Sequence, residues 1–428
     1  MNTMIIITLV GSLFIFLAVG IPIAWCMLGA SILTILVDGS LPFTMVAQRL
    51  FNGCNVFALL AIPAFVLAGD LMTQGGVSKR LVNFCRALVG RTPGGLSIVS
   101  LVTCAFFAAI SGSSPATTAA VGGIMVPEMK EEGYPHDYTA AVQAIGGTLG
   151  IVIPPSISFV LYGNSTGVST AALLASGVLP GIISCLFLST YALWVAKRKN
   201  YPAGRRYSLK EILKMFVAAI FAIIMPLIIL GGIYAGVFTP TESAVVAAFY
   251  GLLVGVVIYR ELSLSKLHKA LTSSAITISN ILIIVACAML FNWLLTYYGI
   301  SGLVTESLIA VASNQFIFLS LAILLLFIVG MFMDTTAATL VLAPMLAPAA
   351  VAIGIDPVHF GFLFVFMMSI GLATPPFGLC MYVAANITDV GVVQVGKKLL
   401  PFIAVQMICV LLFSLVPQLS TFLPSLIK

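Results

Sequence analysis

Two short stretches decide the fold: GIVIPPS at residues 150–156 and GLATPPF at residues 371–377. Each lies inside an apolar segment long enough to cross a bilayer, which takes about 20 residues. A Pro-Pro pair removes two N–H donors and expels the preceding residue from helical geometry, so each helix must break there. Unwound backbone at membrane depth is tolerated only where it is buried in protein or lines a cavity. The two stretches therefore predict two broken transmembrane helices that build a site.

The composition agrees with a membrane setting for these breaks. Of 428 residues, 61% are hydrophobic and 7% are charged, whereas soluble domains carry about 25% charged residues. This excludes an ordinary soluble globule, a disordered chain and a nucleic-acid-binding protein. The eight cysteines include no C-x-x-C pair and are interpreted as small apolar residues. The sequence predicts an all-α polytopic membrane protein.

Apolar length predicts where the chain crosses the bilayer. Two further apolar stretches, about 97–130 and 316–353, are too short for two crossings and carry polar residues in the middle, SGSSP at 111–115 and DTT at 334–336. They predict two re-entrant helical hairpins. The first full crossing is interpreted as a retained span, because no basic region or cleavage site marks it as a signal peptide. Full crossings are predicted near 4–36, 54–72, 138–165, 173–196, 215–236, 241–259, 273–298, 359–388 and 400–423.

The basic residues predict the orientation, because cytoplasmic loops are enriched in Lys and Arg. They cluster at 79–91, at 130, at 197–214, at 260–269 and at 397–398, and none lies between Lys269 and Lys397. The first hairpin is then entered from the cytoplasm and the second from the opposite side. The N-terminus is predicted to be cytoplasmic and the C-terminus periplasmic. Arg49 and Lys428 are the basic residues that this topology leaves outside or unexplained.

The chain also repeats itself. A shift of 221 residues superposes the prolines of the two breaks and places the serine-rich tip on the tip that contains Asp334. Because the two copies are entered from opposite sides, they form an inverted repeat, as in secondary transporters. Residues 1–200 are predicted to form the first repeat, 201–240 a linker with a connecting transmembrane helix, and 241–428 the second repeat.

The breaks and tips predict an ion and anion site. Carbonyls freed at residues 150–153 and 371–374 suit a monovalent cation, and the helices that start at the breaks and tips point positive N-terminal ends at one place. Asp334 is the sharpest candidate, because an intramembrane carboxylate is by default functional; the alternative is a helix cap. For the serines at 111–114 simple helix capping is the alternative. The substrate is expected at Ser114, Thr117, Ser156, Asn164 and Thr336.

Several functions lack support in the sequence. There is no phosphate-binding loop, zinc-protease motif or nucleophile elbow, so neither an ATP-driven pump nor a hydrolase is indicated. The alternatives that stay open are a channel or self-sufficient exchanger, and a subunit of a redox-driven pump. The long segment without Lys or Arg counts against the redox pump.

Five motifs together resemble one known family. These are SGSSPATT at 111–118, GIVIPPS at 150–156, GVFTPTE at 236–242, MDTT at 333–336 and TPPFG at 374–378. They are similar to the large membrane subunit of TRAP (tripartite ATP-independent periplasmic) transporters, and the match runs over essentially the whole chain. The sequence looks closest to the members that transport sialic acid.

The resemblance implies an elevator-type secondary transporter of the bacterial inner membrane that is driven by sodium and takes carboxylates from a soluble periplasmic binding protein. It implies no enzymatic activity and no organic cofactor. It also implies a small membrane subunit of about four helices, expected on a separate chain. The spans near 4–36, 173–196, 241–259 and 400–423 would form the scaffold. Carried onto this chain, the sodium sites of the family fall at Ser111, Ser113 and Gly150, and at Asp334, Thr335, Gly371 and Thr374.

Overall fold

The computed structural model describes residues 3–89, 92, 94–312 and 314–426. Arg91 and Lys428, which entered the topology argument, lie outside these residues. Eight of the helices in the described part are long and apolar enough to cross a membrane. The helices are α1 Thr3–Ala18, α2 Ile23–Asp38, α3 Thr44–Cys54, α4 Ala61–Gln74, α5 Val77–Val89, α6 Gly95–Ser111, α7 Ser114–Glu131, α8 His136–Thr148, α9 Ile157–Thr166, α10 Thr170–Ser176, α11 Val178–Lys199, α12 Leu209–Tyr234, α13 Pro240–Leu253, α14 Leu264–Tyr297, α15 Ile300–Val311, α16 Gln315–Phe332, α17 Thr335–Ala352, α18 Pro357–Gly371, α19 Leu379–Thr388, α20 Val392–Leu415 and α21 Gln418–Ser425.

The two helical hairpins are confirmed. The first is formed by α6 and α7 and the second by α16 and α17, with bounds within two residues of the prediction. Gly112 ends α6 in the left-handed region at φ 62°, which a residue without a Cβ adopts at no steric cost. Shifted by 221 residues, α7 begins and ends where α17 does. The tips of the hairpins are therefore matching elements of the predicted repeat.

Both broken helices are also confirmed. The helix α8 continues as one 3₁₀ turn to Ile151, and α9 begins after Ser156. In the second copy α18 ends at Gly371 and α19 begins at Leu379. The interruptions coincide with the two Pro-Pro pairs, because proline cannot supply the N–H that a helix requires there.

One half of each broken helix packs against the hairpin of the other copy. The helix α19, from the second copy, packs against α7 and α8 of the first, and α9 packs against α17 of the second. This interlocking brings the two tips together in one bundle. The division of the chain into repeats at residues 200 and 240 stays a prediction.

A second group of helices surrounds α14. The helices α2, α3 and α4 pack against α14, and α4 also packs against α13; α14 in turn contacts α17 of the second hairpin. By contrast, α11 packs against α6, and α20 packs against α8. The spans near 173–196 and 400–423, predicted to belong to the scaffold, therefore pack with the hairpin bundle. The apolar pattern alone does not distinguish scaffold helices from bundle helices.

The predicted single crossing at 4–36 is wrong. The chain turns at Gly20, which has φ 86°, and at Pro22, and α2 runs back along α1. A Cβ added at Gly29 would lie 2.9 Å from a ring carbon of Phe16, as expected for helices packed antiparallel. Met4 and Asp38 thus lie at the same end of the pair. Because residues 4–36 form two antiparallel helices and not one crossing, they do not place the N-terminus on the cytoplasmic side.

This fold-back predicts a labelling result. Cysteines placed at Met4 and at Ser40, both exposed, should react with a membrane-impermeant maleimide added to the same side. The native background is low, because seven of the eight cysteines are buried and Cys54 is half-buried. Labelling of the two positions from opposite sides would mean that residues 4–36 cross once, as the apolar pattern suggested.

Candidate functional site

The tips of the two hairpins meet at a cavity of about 350 Å³, which we call the tip cavity. Four helices begin at its wall: α7 and α9 from the first copy, and α17 and α19 from the second. The helix α14 also lines the cavity. It is lined by Gly112, Ser113, Pro115, Ile151, Ile157, Ser158, Thr277, Asn280, Ile281, Ile284, Asp334, Thr335, Thr336, Leu372 and Leu379.

The helix starts contribute positive potential to the tip cavity. The first N–H groups of a helix have no partner inside it, and the helix dipole adds about half a positive charge at that end. Four such ends converge here, and the lining contains no Lys or Arg. Backbone N–H groups at helix N-termini bind carboxylate and phosphate groups. The cavity can therefore hold an anion without a basic side chain.

Asp334 supplies the single carboxylate of this cavity. The side chain is exposed to the cavity, and its Oδ2 accepts a hydrogen bond of 2.9 Å from the backbone N–H of Thr336. It therefore caps α17, and its second oxygen stays available. The buried Oγ1 of Thr335 has no hydrogen-bond partner among the described residues. A carboxylate oxygen next to an unpaired hydroxyl is a fitting pair of ligands for a hard cation such as sodium.

The second break lies directly behind this pair. Gly371 contacts Gly330 so closely that an added Cβ would lie 2.5 Å from the Gly330 Cα. The Thr374 hydroxyl donates 2.8 Å to the Ile370 carbonyl and keeps its lone pairs. The Gly371 carbonyl accepts from Thr374 N–H at 2.9 Å, and the Leu372 carbonyl from Cys380 N–H at 2.8 Å. The carbonyls of Gly371 and Leu372, predicted to be free, are thus engaged within the break, and each retains one lone pair for a cation.

Hydrogen bonds among its own side chains hold the first tip. The hydroxyls of Ser111 and Thr117 lie 2.8 Å apart, and Thr117 donates to the Ser113 carbonyl at 2.8 Å. Ser114 donates to the Thr148 carbonyl at 3.3 Å. Gly150 packs under this tip, where an added Cβ would lie 2.5 Å from the Ser113 carbonyl oxygen. Ser111, Ser113, Thr117 and Gly150 therefore form one unit.

Four of the five residues expected to contact substrate do not line the tip cavity. Ser114 and Thr117 are fully buried within the first tip, and Ser156 and Asn164 lie elsewhere. The Ser156 hydroxyl is buried, donates 2.6 Å to the Ile151 carbonyl and accepts from Phe159 N–H, so it caps α9. Asn164 lies at the far end of α9, in a separate cavity of about 380 Å³. Thr336, by contrast, lies in the tip cavity as expected.

Sequence reasoning missed three polar residues of the tip cavity, Ser158, Thr277 and Asn280. Ser158 follows the predicted cap Ser156 by two residues. Thr277 and Asn280 lie three positions apart on one face of α14, together with Ile281 and Ile284. Polar residues at helical spacing in an apolar span were the available signal, but the partner of that face depends on tertiary packing.

A route leads from the tip cavity toward the basic end of α14. A neighbouring cavity of about 560 Å³ shares Ser113, Pro115, Ile157 and Thr277 with it, and contains Asp70, whose Oδ2 accepts 2.7 Å from the Ser274 hydroxyl. A third cavity shares Ser273 and Thr277 with the second and is open beside His268 and Lys269. Asp70 therefore lies on this route.

One hydrogen bond ties α14 to the second hairpin. The Asn292 side-chain N–H donates 2.8 Å to the carbonyl of Leu340 in α17. That carbonyl has no helical donor, because the residue four positions later is Pro344, which lacks an N–H. The side chain of Asn292 thus completes the hydrogen bonding of α17 from outside.

This contact predicts a coupled pair. Asn292→Leu should destabilise the protein by about 1–3 kcal/mol, because it leaves the buried carbonyl unpaired. In a Pro344→Ala background the helix supplies the N–H itself, so the same substitution should cost much less. Thermal unfolding in detergent of the parent, the two single variants and the double variant completes a double-mutant cycle. Equal losses in both backgrounds would show that Asn292 does not serve the Leu340 carbonyl.

The described residues contain no group of three or more His, Cys, Asp and Glu that could hold a metal ion. The oxygen set at the second tip is one carboxylate with neutral hydroxyls and carbonyls. Such a low charge suits a monovalent ion better than a divalent one.

Comparison with solved structures agrees with the fold. The chain matches the YdaH transporter of Alcanivorax borkumensis with a TM-score of 0.61 and 16% sequence identity, over 90% of this chain and 87% of that one. That similarity supports a membrane-transporter fold.

Sequence comparison identifies the family. The DctM component of the tripartite ATP-independent periplasmic transporters matches residues 10–419. The C4-dicarboxylate TRAP transporter large permease protein DctM of Rhodobacter capsulatus is 38% identical over 97% of this chain and 98% of its own. The isethionate TRAP transporter permease protein DctMQ of Oleidesulfovibrio alaskensis is 38% identical over 97% of this chain and 65% of its own. The sialic acid TRAP transporter large permease protein SiaM of Vibrio cholerae is 31% identical over 98% and 99%. The tips, the breaks and these matches lead to one conclusion: the chain belongs to the DctM family, the large permease subunits of TRAP transporters.

Proposed function

We propose that this chain carries a small organic anion across the bacterial inner membrane in symport with sodium. The observation that supports it most is the tip cavity, where four helix N-termini meet beside Asp334 and Thr335. The helix ends would bind the anion, and the carboxylate with its neighbouring oxygens would bind sodium. Each ion compensates the charge of the other, which makes joint occupancy more favourable than either alone.

Sodium would occupy two places in this proposal. At the second tip the ligands are Asp334, Thr335, Gly371 and Thr374. At the first tip they are Ser111, Ser113 and Gly150, whose oxygens are all neutral. A cation bound within each hairpin would fix the tip against its broken helix and so shape the tip cavity for the anion.

The substrate of this proposal is N-acetylneuraminate, as the motif resemblance implies, with a C4-dicarboxylate as the second candidate. Both bear a carboxylate that fits the helix ends. The second candidate is favoured by the identities, since the dicarboxylate permease is 38% identical and the sialic acid permease 31%.

The movement would be of the elevator type. The hairpin bundle would shift past the group around α14, carrying the tips from one side of the bilayer to the other. The chain of cavities toward Lys269 supports a state that is open on the cytoplasmic side. With the basic loops in the cytoplasm, the C-terminus and, through the fold-back of α1 and α2, Met4 lie on the periplasmic side.

A small membrane subunit and a periplasmic binding protein would complete the transporter. The DctMQ relative is longer than this chain, which spans 65% of it, in keeping with a permease that carries a second part on the same polypeptide. Here we expect the second part on a separate chain, docked through the lipid-facing surface of the group around α14.

Uptake into proteoliposomes tests the proposal. The chain is reconstituted with the small subunit and the binding protein, and labelled N-acetylneuraminate or succinate is added with and without an inward sodium gradient. We expect uptake of one of them with the gradient and little without it. Equal uptake in both conditions would refute sodium coupling. Uptake without the binding protein would favour a self-sufficient transporter.

A further inference from the structure

The cavity that contains Asn164 is separate from the tip cavity and has its own chemistry. It measures about 380 Å³, and we call it the Arg49 cavity. None of its lining residues lines the tip cavity. It lies toward the end of α14 opposite to Lys266 and Lys269, between α3 and α14 on one side and α9 and α17 on the other. Its lining is Arg49, Asn52, Gly53, Asn164, Ser165, Met289, Asn292, Trp293, Thr296 and Pro344.

Arg49 is the single charged residue of this lining. Its guanidinium carbon lies 4.5 Å from the centre of the Trp293 ring, a geometry that fixes the group over the ring face. No carboxylate of the described residues forms an ion pair with it. A half-buried guanidinium without a counter-ion favours binding of an anion, and its planar fork matches a carboxylate.

Two amides complete the arrangement. The side-chain N–H₂ of Asn164 is buried and has no hydrogen-bond partner among the described residues. The side-chain oxygen of Asn292 is likewise buried and unpaired, although its N–H₂ serves Leu340. Buried polar atoms are normally paired. The first would be satisfied by an anion oxygen and the second by a hydroxyl or amide N–H of the same ligand.

We propose that the Arg49 cavity is a second binding site for the organic anion, at the entrance opposite to the open route. Its ligand is a small carboxylate that also carries a hydrogen-bond donor. It would hold the anion after release from the binding protein and before the hairpin bundle moves. The identity of the ligand rests on the proposed function, whereas the presence of an anion site rests on Arg49, Asn164 and Asn292.

An acidic lipid headgroup would present similar oxygens to Arg49. The soluble anion is favoured because the cavity lies between the group around α14 and the hairpin bundle, where the transported substrate must pass. A bilayer with and without an anionic lipid distinguishes the two sources.

Trp293 gives a direct readout. The chain has three tryptophans, so W25F with W194F leaves Trp293 alone. This protein is placed in phosphatidylcholine nanodiscs and titrated with the potassium salts of N-acetylneuraminate and of succinate at constant ionic strength. We expect a saturable change of fluorescence for N-acetylneuraminate, which carries hydroxyl and amide donors for Asn292, and a weaker one for succinate, whose dianion carries none. Arg49→Gln should raise the half-saturating concentration about tenfold or more, the loss typical of a charge-assisted hydrogen bond, whereas Arg49→Lys should raise it less.

A matched control is present in the same chain. Arg198 lies 5.4 Å from the ring centre of Trp194, which is exposed near the end of α11. A protein that keeps only Trp194 should show no saturable change. Asn164→Leu should weaken the response of Trp293.

Three results would overturn the inference: an unaltered titration in Arg49→Gln, an equal saturable response at Trp194, or a response that phosphatidylglycerol in the nanodisc produces and the carboxylates do not. The titration contains no sodium gradient and no binding protein. Failure of uptake therefore refutes the proposed function, and failure of the titration refutes this site, independently of each other.

Discussion

Gly371→Ala is expected to abolish sodium-driven uptake. The added Cβ would lie 2.5 Å from backbone atoms of Gly330, which cannot turn away as a side chain can. The hairpin and the broken helix must then separate, and overpacking of this kind costs about 1–3 kcal/mol. The separation falls between the second tip and Thr374, where the sodium ligands must stay in register.

Gly150→Ala is expected to act in the same way at the first tip, because its Cβ would meet the Ser113 carbonyl oxygen at 2.5 Å. The control is Gly123→Ala in α7, where no heavy atom lies within 4 Å of the added carbon. Alanine is the better helix former, so this variant should be at least as stable as the parent. Size-exclusion profiles and uptake are measured together. Normal sodium-driven uptake by Gly371→Ala would show that transport does not require the close contact between Gly371 and Gly330.

Asp334→Asn is expected to raise the sodium concentration for half-maximal uptake by at least about tenfold, since a full negative charge on an ion ligand is lost. Asparagine caps helices as well as aspartate does, so the hydrogen bond to Thr336 can persist and the stability should change little. Asp334→Ala should weaken sodium binding in the same way and should also lower the free energy of unfolding by about 1 kcal/mol, because the helix cap is lost. Comparing the two variants therefore separates the role of Asp334 as a sodium ligand from its role as a helix cap.

Asp356 provides the matched control for this test. It caps α18 through hydrogen bonds of 2.9 Å from the N–H groups of Val358 and His359, and it lies outside the tip cavity. Asp356→Asn should therefore leave the sodium dependence as in the parent. If Asp334→Asn and Asp356→Asn gave the same sodium response, Asp334 would be a helix cap and no more.

The sequence predicted those parts of the fold that depend on neighbouring residues in the chain. A polar tip in an apolar stretch marks a hairpin, and a Pro-Pro pair marks a break, so these bounds came within a few residues of the structure. The turn at Gly20 and Pro22 was missed because it interrupts an apolar run without adding a polar residue. Hydropathy does not register such a turn, although glycine and proline are its local signal.

The site was predictable only in part. Asp334, Thr335 and Thr336 lie at the tip cavity because the tip sequence places them there. Asn280 of α14 and the unpaired amide of Asn164 depend on which helices pack together, and no local pattern carries that information. Arg49 stood out in the sequence as one of two basic residues without a place in the topology, and the structure places it over Trp293.

The reciprocal flux tests sodium symport most directly, because coupling between two ligands must act in both directions. Proteoliposomes that contain the chain, its small subunit and the binding protein are given equal sodium concentrations inside and outside, with ²²Na⁺ as tracer and an inward gradient of the transported anion. The account predicts that the anion gradient drives net ²²Na⁺ accumulation, and that Asp334→Asn suppresses it. Anion entry without any ²²Na⁺ accumulation would contradict the account.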